Sequence, residues 1–337
     1  MKFDDFKRFC IADTVYALFV YLLYSSEEEI RNTFYFFQSG IPDPVQQKLP
    51  NRRKFSLIYG WNMARKAVVL TMIRLICRMR YRIPAGSTVL AQDQIPIFGY
   101  LIGKNDYTLL SDGPQCFSSN AAYFERVQRE KNSFRAFLSR LILTKWYFRL
   151  YGFNRQCKKI IVEEMDYADY VDQKLMEVVD FRETWDKASD SKREMILDIF
   201  GLSGELRKCI TGRNVVLFTQ QLSTDGTITE AEQIKIYRDA LAGYDLSKVV
   251  IKPHPRDKVD YSKYFPECGI LDSPAPMQLI GLQEWWNGFD TAITIFSSSV
   301  TSVPNAKIVW LGTEIHPKIF AYYGHRDMPR KTVGASI

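Results

Sequence analysis

Two short stretches in the C-terminal half of the 337-residue chain place reactive side chains where chemistry can be done: Val249-Val250-Ile251-Lys252-Pro253-His254-Pro255-Arg256 and Thr291-Ala292-Ile293-Thr294-Ile295-Phe296-Ser297-Ser298-Ser299. Each reads as a buried strand that stops abruptly in polar residues, and ligands of open α/β sheets bind just outside the carboxyl ends of such strands. One strand end offers Lys252, His254 and Arg256; the other offers three hydroxyls. That pairing suits an anion carried on a small molecule, above all a phosphate. Pro253 and Pro255 restrict the backbone on both sides of His254, which preorganises its setting.

The elements that must position these residues read as alternating strands and helices. In the first half, strands are expected at Lys7–Ala12, Phe34–Phe37, Thr88–Ala91, Tyr107–Leu110 and Lys159–Val162, with Asp13-Thr14 capping a helix that runs to Tyr24. Phe117 to Phe153 and Asp180 to Phe200 read as helical. The second half restarts at Asn214–Phe218, followed by the loop Thr219–Gly226 and the capping box Thr229-Glu230-Ala231-Glu232, which opens a helix to about Leu241. Further strands are expected at Val249–Ile251, Gly269–Leu271, Thr291–Phe296 and Lys307–Leu311. Such alternation implies parallel sheets covered on both faces. The expected architecture is two doubly wound, Rossmann-like halves facing across a cleft, 1-200 and 201-337.

Composition excludes several classes. With 46% hydrophobic and 25% charged residues the chain is neither disordered nor fibrous. Six widely spaced cysteines fit neither a zinc site nor a secreted disulfide framework, and they read as reduced thiols of a cytoplasmic protein. The apolar run Val15–Tyr24 is far shorter than the roughly 20 residues that a membrane span needs. The net charge of +7 is uneven, with Arg and Lys interleaved with apolar residues from Arg65 to Arg82. An amphipathic basic helix of that kind either packs with a solvated basic edge or lies on anionic lipid at the inner face of the plasma membrane.

Five blocks, in order, resemble glycosyltransferase family 52, which contains bacterial sialyltransferases. They are Cys10-Ile11-Ala12-Asp13-Thr14, Leu109-Leu110-Ser111-Asp112-Gly113, Phe218-Thr219-Gln220-Gln221-Leu222 with Asp225-Gly226 downstream, Ile251–Asp257 with Asp260-Tyr261-Ser262 and Phe265-Pro266, and Phe296-Ser297-Ser298-Ser299-Val300. The resemblance implies a GT-B fold and inverting, metal-independent transfer without a cofactor. The implied donor is CMP-sialic acid, and the implied acceptor is a galactose-type unit of a surface glycan such as capsule, lipopolysaccharide or O-antigen. Of the three motifs such enzymes share, His-Pro is matched by His254-Pro255 and the serine motif lies within Ser297-Ser298-Ser299. The acidic motif is matched by Ser111-Asp112-Gly113, with serine at its first acidic position.

Inverting transfer needs a base for the acceptor hydroxyl and a way to stabilise charge on the leaving phosphate. His254 can donate to that phosphate, and Ser297 to Ser299 at a helix start can hold it. Thr219, Gln220, Lys252, Pro255 and Arg256 complete the expected donor-side set. The base stays open among Glu230, Asp112, Asp225 and Glu232, all near ends of strands. Glu232 doubles as the capping partner of Thr229. The expected partners are therefore a nucleotide sugar and a glycan acceptor, with membrane contact through the 65–82 segment and a homodimer both compatible with the sequence and nucleic acid not expected. The alternatives are a same-family transferase using another sugar nucleotide, or a non-catalytic basic protein that binds membrane or nucleic acid.

Overall fold

The computed structural model describes residues 3–55, 71–73, 75–77, 79–94, 96–113, 116, 117, 124, 151–165, 170–202, 204–303 and 305–328. The chain divides into two compact units, Met1–Ile196 and Leu197–Ile337. The expected helix over Phe117–Phe153 and the first part of the 65–82 segment lie almost wholly outside the described residues.

The first unit carries a seven-stranded parallel sheet: β1 (Arg8–Ala12), β2 (Thr33–Phe37), β3 (Arg52–Lys54), β4 (Thr88–Ala91), β5 (Tyr107–Leu110), β6 (Cys157–Val162) and β7 (Met176–Val178), in the order β3-β2-β1-β4-β5-β6-β7. Phe9, Ile11, Phe34, Phe36 and Leu109 pack into one core on a face of this sheet. The sheet's other face is closed by the helix Val15–Tyr24, whose buried run from Ala17 to Leu23 explains why it is apolar nearly throughout. Thr14 caps that helix by accepting from the Ala17 N–H. The chain leaves β1 toward β2 on one side and returns to β4 on the other, so the loops after β1 and β4 flank a topological switch point, where a doubly wound sheet opens its binding crevice.

The second unit repeats the plan with five parallel strands: β8 (Val215–Phe218), β9 (Val249–Lys252), β10 (Gly269–Ile270), β11 (Thr291–Thr294) and β12 (Lys307–Trp310), in the order β10-β9-β8-β11-β12. Its switch point lies between β8 and β11. The expected capping box is formed: Thr229 accepts from the Glu232 N–H while the Glu232 carboxylate accepts from the Thr229 N–H, and the helix runs Glu230–Leu241. Among the described residues no helix is long and apolar enough to cross a membrane.

Three expectations are corrected. Asp180–Phe200 is two helices, Phe181–Asp186 and Asp190–Ile199, because Asp180 caps the first and the chain breaks before Asp190. The serine run opens only a five-residue 3-10 turn, Ser298–Ser302, capped by Ser297, which is too short to gather a helix dipole. Two strands, β3 and β7, were not expected, and both are short outer strands of the first sheet.

Candidate functional site

In the second unit the strand ends converge on His254. Its backbone N–H donates to the Thr219 hydroxyl just beyond β8 (3.1 Å), and that hydroxyl donates to Asp257 Oδ2 (3.0 Å). The same carboxylate oxygen accepts from Tyr261 (2.6 Å) and from Gln233 Nε2 (3.1 Å), while the Asp257 N–H closes the His-Pro turn on the His254 carbonyl (2.8 Å). Gln233, fully buried in the helix Glu230–Leu241, also donates to the Gln220 carbonyl (3.0 Å) and accepts from the Ser223 N–H (2.7 Å). Asp257 is thus the hub that ties the loops after β8 and β9 into one piece.

The imidazole itself is half-buried. The Arg256 N–H donates to its Nδ1 (3.2 Å), which leaves the proton of the neutral ring on Nε2, pointing a donor outward from the turn. Burial, then the positive charge of Arg256, lowers its pKa to about 4, with Asp225 opposing and Lys252 adding to the fall. Lys252 is turned toward the loop after β10, its Nζ on the Ser273 carbonyl (2.9 Å), and burial lowers it to about 8. His254 and Lys252 therefore both have weakened proton affinity, which a nearby anion would restore.

The other residues expected in this site divide. Thr219 and Gln220 are buried and structural to the loop, the Gln220 N–H resting on the Tyr237 hydroxyl (2.8 Å). Pro255 and Arg256 are exposed in the turn. Ser297 is half-buried and Ser298 and Ser299 are exposed; the Ser297 N–H reaches Thr294 Oγ1 (3.0 Å), which in turn donates to the Phe218 carbonyl (3.2 Å) beside Thr219. Asp225 occupies an exposed turn with Gly226 at φ +73°, a conformation that favours glycine, and its charge acts on both His254 and Tyr323. Burial chiefly raises the Tyr323 pKa, and its ring lies tilted at 48° to that of Phe296, 4.8 Å between centroids, which brings an aromatic to this edge. Glu230, exposed at the helix start, accepts from Tyr264 (2.5 Å) rather than facing His254. Glu232 is spoken for: Lys318 (2.9 Å) and the Thr229 groups hold it at about 2.

Asp112 lies in the first unit, beyond β5, at a second convergence. Gln92, fully buried after β4, spans the switch point. Its Oε1 accepts from the Asp13 (2.6 Å) and Thr14 (3.2 Å) N–H groups after β1, and its Nε2 donates to Asp112 Oδ1 (2.9 Å). Tyr151 donates to the other oxygen of Asp112 (2.6 Å). Burial raises the Asp112 pKa, while Tyr151, Thr14 and Gln92 pull it back. Two more carboxylates on this edge are held by tyrosines, Glu163 by Tyr16 (3.0 Å) and Asp93 by Tyr107 (2.5 Å). The Asp93 carboxyl, buried after β4, is pushed up to about 7 by desolvation despite a second bond from the Gly152 N–H (3.0 Å). Gly40 completes the crowding: its N–H donates to Asp13 Oδ1 (3.0 Å), and a Cβ there would lie 1.9 Å from the Asp13 carbonyl oxygen.

Sequence reasoning missed Gln92, Tyr151, Gln233 and Asp257. Gln92 directly follows the apolar strand Thr88–Ala91, a position that could have been flagged; Tyr151 carries no local signal. Among the described residues no three His, Cys, Asp or Glu side chains cluster as a metal ion would require.

The model of glycosyltransferase family 52 matches residues 66–319. A protein of Haemophilus influenzae described as uncharacterized is 26% identical over 312 residues, covering 91% of this chain and 95% of that one. Among solved structures, a 2,6-sialyltransferase of Vibrionaceae Photobacterium sp. JT-ISH-224, in complex with CMP and lactose, superposes with a TM-score of 0.57 at 15% identity, over 89% of this chain and 70% of that chain. The GT-B domain of a Photobacterium damselae sialyltransferase gives a TM-score of 0.50 at 13% identity, over 89% of each chain. At these identities the likeness defines the fold, which is GT-B.

Proposed function

The chain belongs to glycosyltransferase family 52, and from that premise we propose that it is an inverting sialyltransferase, moving sialic acid from CMP-sialic acid to a galactose-type acceptor of a bacterial surface glycan. The observation that carries this reading is the setting of His254. Its Nδ1 is occupied by the Arg256 N–H, so the neutral ring offers an Nε2–H donor at the carboxyl edge of the sheet, with Lys252 and Arg256 contributing positive potential. A cytidine monophosphate leaving group needs such a donor, because negative charge grows on its phosphate as the glycosidic bond breaks. As the phosphate gains charge, the hydrogen bond from Nε2–H strengthens, so His254 serves as a neutral hydrogen-bond donor to the leaving group and keeps its proton.

Ser297, Ser298 and Ser299, exposed or half-buried beyond β11, supply further hydroxyl donors on the same edge, and the second unit is on this reading the donor half. The first unit supplies the acceptor half. Asp112 is the base we favour over Glu230 and Asp225: its two oxygens are already oriented by Gln92 and Tyr151, and burial raises its proton affinity above that of a solvated carboxylate. The chemistry asks for no metal, since the leaving phosphate is met by Nε2–H, hydroxyls and cationic side chains. The CMP and lactose of the Photobacterium complex are of the same classes as the donor product and acceptor proposed here.

A thermal-shift screen of CMP, CMP-sialic acid, UDP-sugars and GDP-sugars tests the donor, because a bound ligand raises Tm by mass action. CMP compounds alone should shift it, and CMP-sialic acid with lactose should release CMP. A shift and turnover with a UDP-sugar would keep the family and replace the donor.

A further inference from the structure

The segment 71–82 packs on one side and is bare on the other. The described residues from 71 to 80 are all helical. Cys77 is buried in the core of the first unit, with Ile73 and Tyr81 packed against that core. Met72 (58% exposed), Leu75 (57%), Ile76 (44%) and Met79 (73%) stand in solvent. Their spacing of three, four and seven residues puts all four on a single helical stripe. The sequence left this helix between a packed one with a solvated basic edge and a lipid-facing one, and the exposed stripe is apolar, not basic.

The charge around the stripe decides its partner. From residue 44 to residue 92 the chain has ten Lys and Arg and no Asp or Glu; the other 288 residues carry 35 basic and 38 acidic residues, a net of −3. The excess charge of the whole protein is therefore concentrated in this region. Arg80 and Arg82 are exposed at the end of the helix, and Arg53, exposed on β3, lies with its guanidinium 5.7 Å from the Tyr81 ring centroid. A second copy of this surface would set Arg53, Arg80 and Arg82 against their own like charges. An oligonucleotide would use the cations and leave four large apolar side chains in water. An anionic bilayer satisfies both, taking the apolar stripe below its headgroups and the arginines among them.

We propose that Met72, Leu75, Ile76 and Met79, with Arg53, Arg80 and Arg82, form a surface that docks this protein on anionic lipid. The inference does not depend on the identity of the donor sugar. Its test is flotation of the full chain with vesicles of phosphatidylglycerol and phosphatidylethanolamine, beside vesicles of phosphatidylcholine alone. The parent should float with the anionic vesicles, less so at high salt, and not with the neutral ones. The double variants Leu75→Ser with Met79→Ser and Arg80→Gln with Arg82→Gln should each weaken vesicle binding about tenfold or more. Tm, and CMP release against soluble lactose, should be unchanged, which separates loss of docking from loss of folding and from failure of the sialyltransferase reading. Equal flotation of parent and variants, or equal binding to neutral vesicles, overturns the proposal. So does oligonucleotide binding without vesicle binding, or a dimer that the apolar variant alone dissolves while flotation persists.

Discussion

At the carboxyl edge of the first sheet three carboxylates, Glu163, Asp93 and Asp112, are each held by a tyrosine hydroxyl. At the same edge of the second sheet an imidazole and an ammonium join the Asp257 carboxylate among hydroxyls and backbone donors. One physical cause acts on both. Loss of solvent raises Asp112 and Asp93 and lowers His254 and Lys252, in each case toward the neutral form. Two copies of one folding plan thus carry opposite proton chemistry, a carboxyl edge that gains affinity for a proton and a nitrogen edge that loses it. The difference comes from which residue each strand happens to end on, since the sheets themselves are built alike.

The comparison breaks most readily at its two centres. Asp112→Asn should lower kcat about 10²–10⁴-fold with donor binding intact, the range for a lost general base. His254→Ala should cost about 10²–10³-fold, as for a lost donor to developing charge, and should depress CMP release to water as well as to acceptor. Full transfer activity in either variant removes that residue from the chemistry. Next comes Asp257→Asn, which turns an amide toward donors that now meet a carboxylate. Hydrogen bonds to a charged group contribute about 1.5–3 kcal/mol, and loosening the His254 turn should lower kcat/KM about tenfold while Thr219→Val gives a smaller loss in the same direction.

A finer test uses pH. The Tyr151 hydrogen bond favours ionised Asp112, so Tyr151→Phe should raise the carboxyl further and move the acid limb of kcat/KM to higher pH. An unmoved limb would mean that Asp112 does not set it. The smallest effects are on stability, and they have opposite signs in the two units. Asp93 at about 7, against 3.8 unfolded, makes the folded state the stronger proton binder, so its contribution falls as pH rises through that window. His254 at about 4, against 6.5 unfolded, does the reverse: the unfolded state binds the extra proton, and stability is lost as pH falls from 6.5 toward 4. Denaturant unfolding at about pH 5 and about pH 8 should therefore show Asp93→Asn gaining on the parent as pH rises and His254→Ala losing ground.

The strands of the second unit were plain in the sequence because a parallel strand buried on both faces is a continuous apolar run, as in Val215–Phe218 and Val249–Ile251. β3 is Arg52-Arg53-Lys54, and nothing about three exposed cations suggests a strand; it pairs only because β2 beside it offers a free edge. His254 was legible from two flanking prolines and its place at a strand end. Its support was not, because Asp257, Gln233 and Tyr261 meet only when a helix folds across the sheet. The Asp112 assembly was still less legible, since Gln92 and Tyr151 lie 20 and 39 residues away from it along the chain.

β3 has one more consequence. It is an outer strand of the first sheet, and the outer strand of any sheet presents unpaired N–H and C=O groups on which another polypeptide can build. Here all three residues are exposed and basic, so the same edge of a second copy approaching strand to strand meets electrostatic repulsion before it can form a hydrogen bond. Cations on an outer strand of this kind oppose edge-to-edge growth of a sheet from copy to copy.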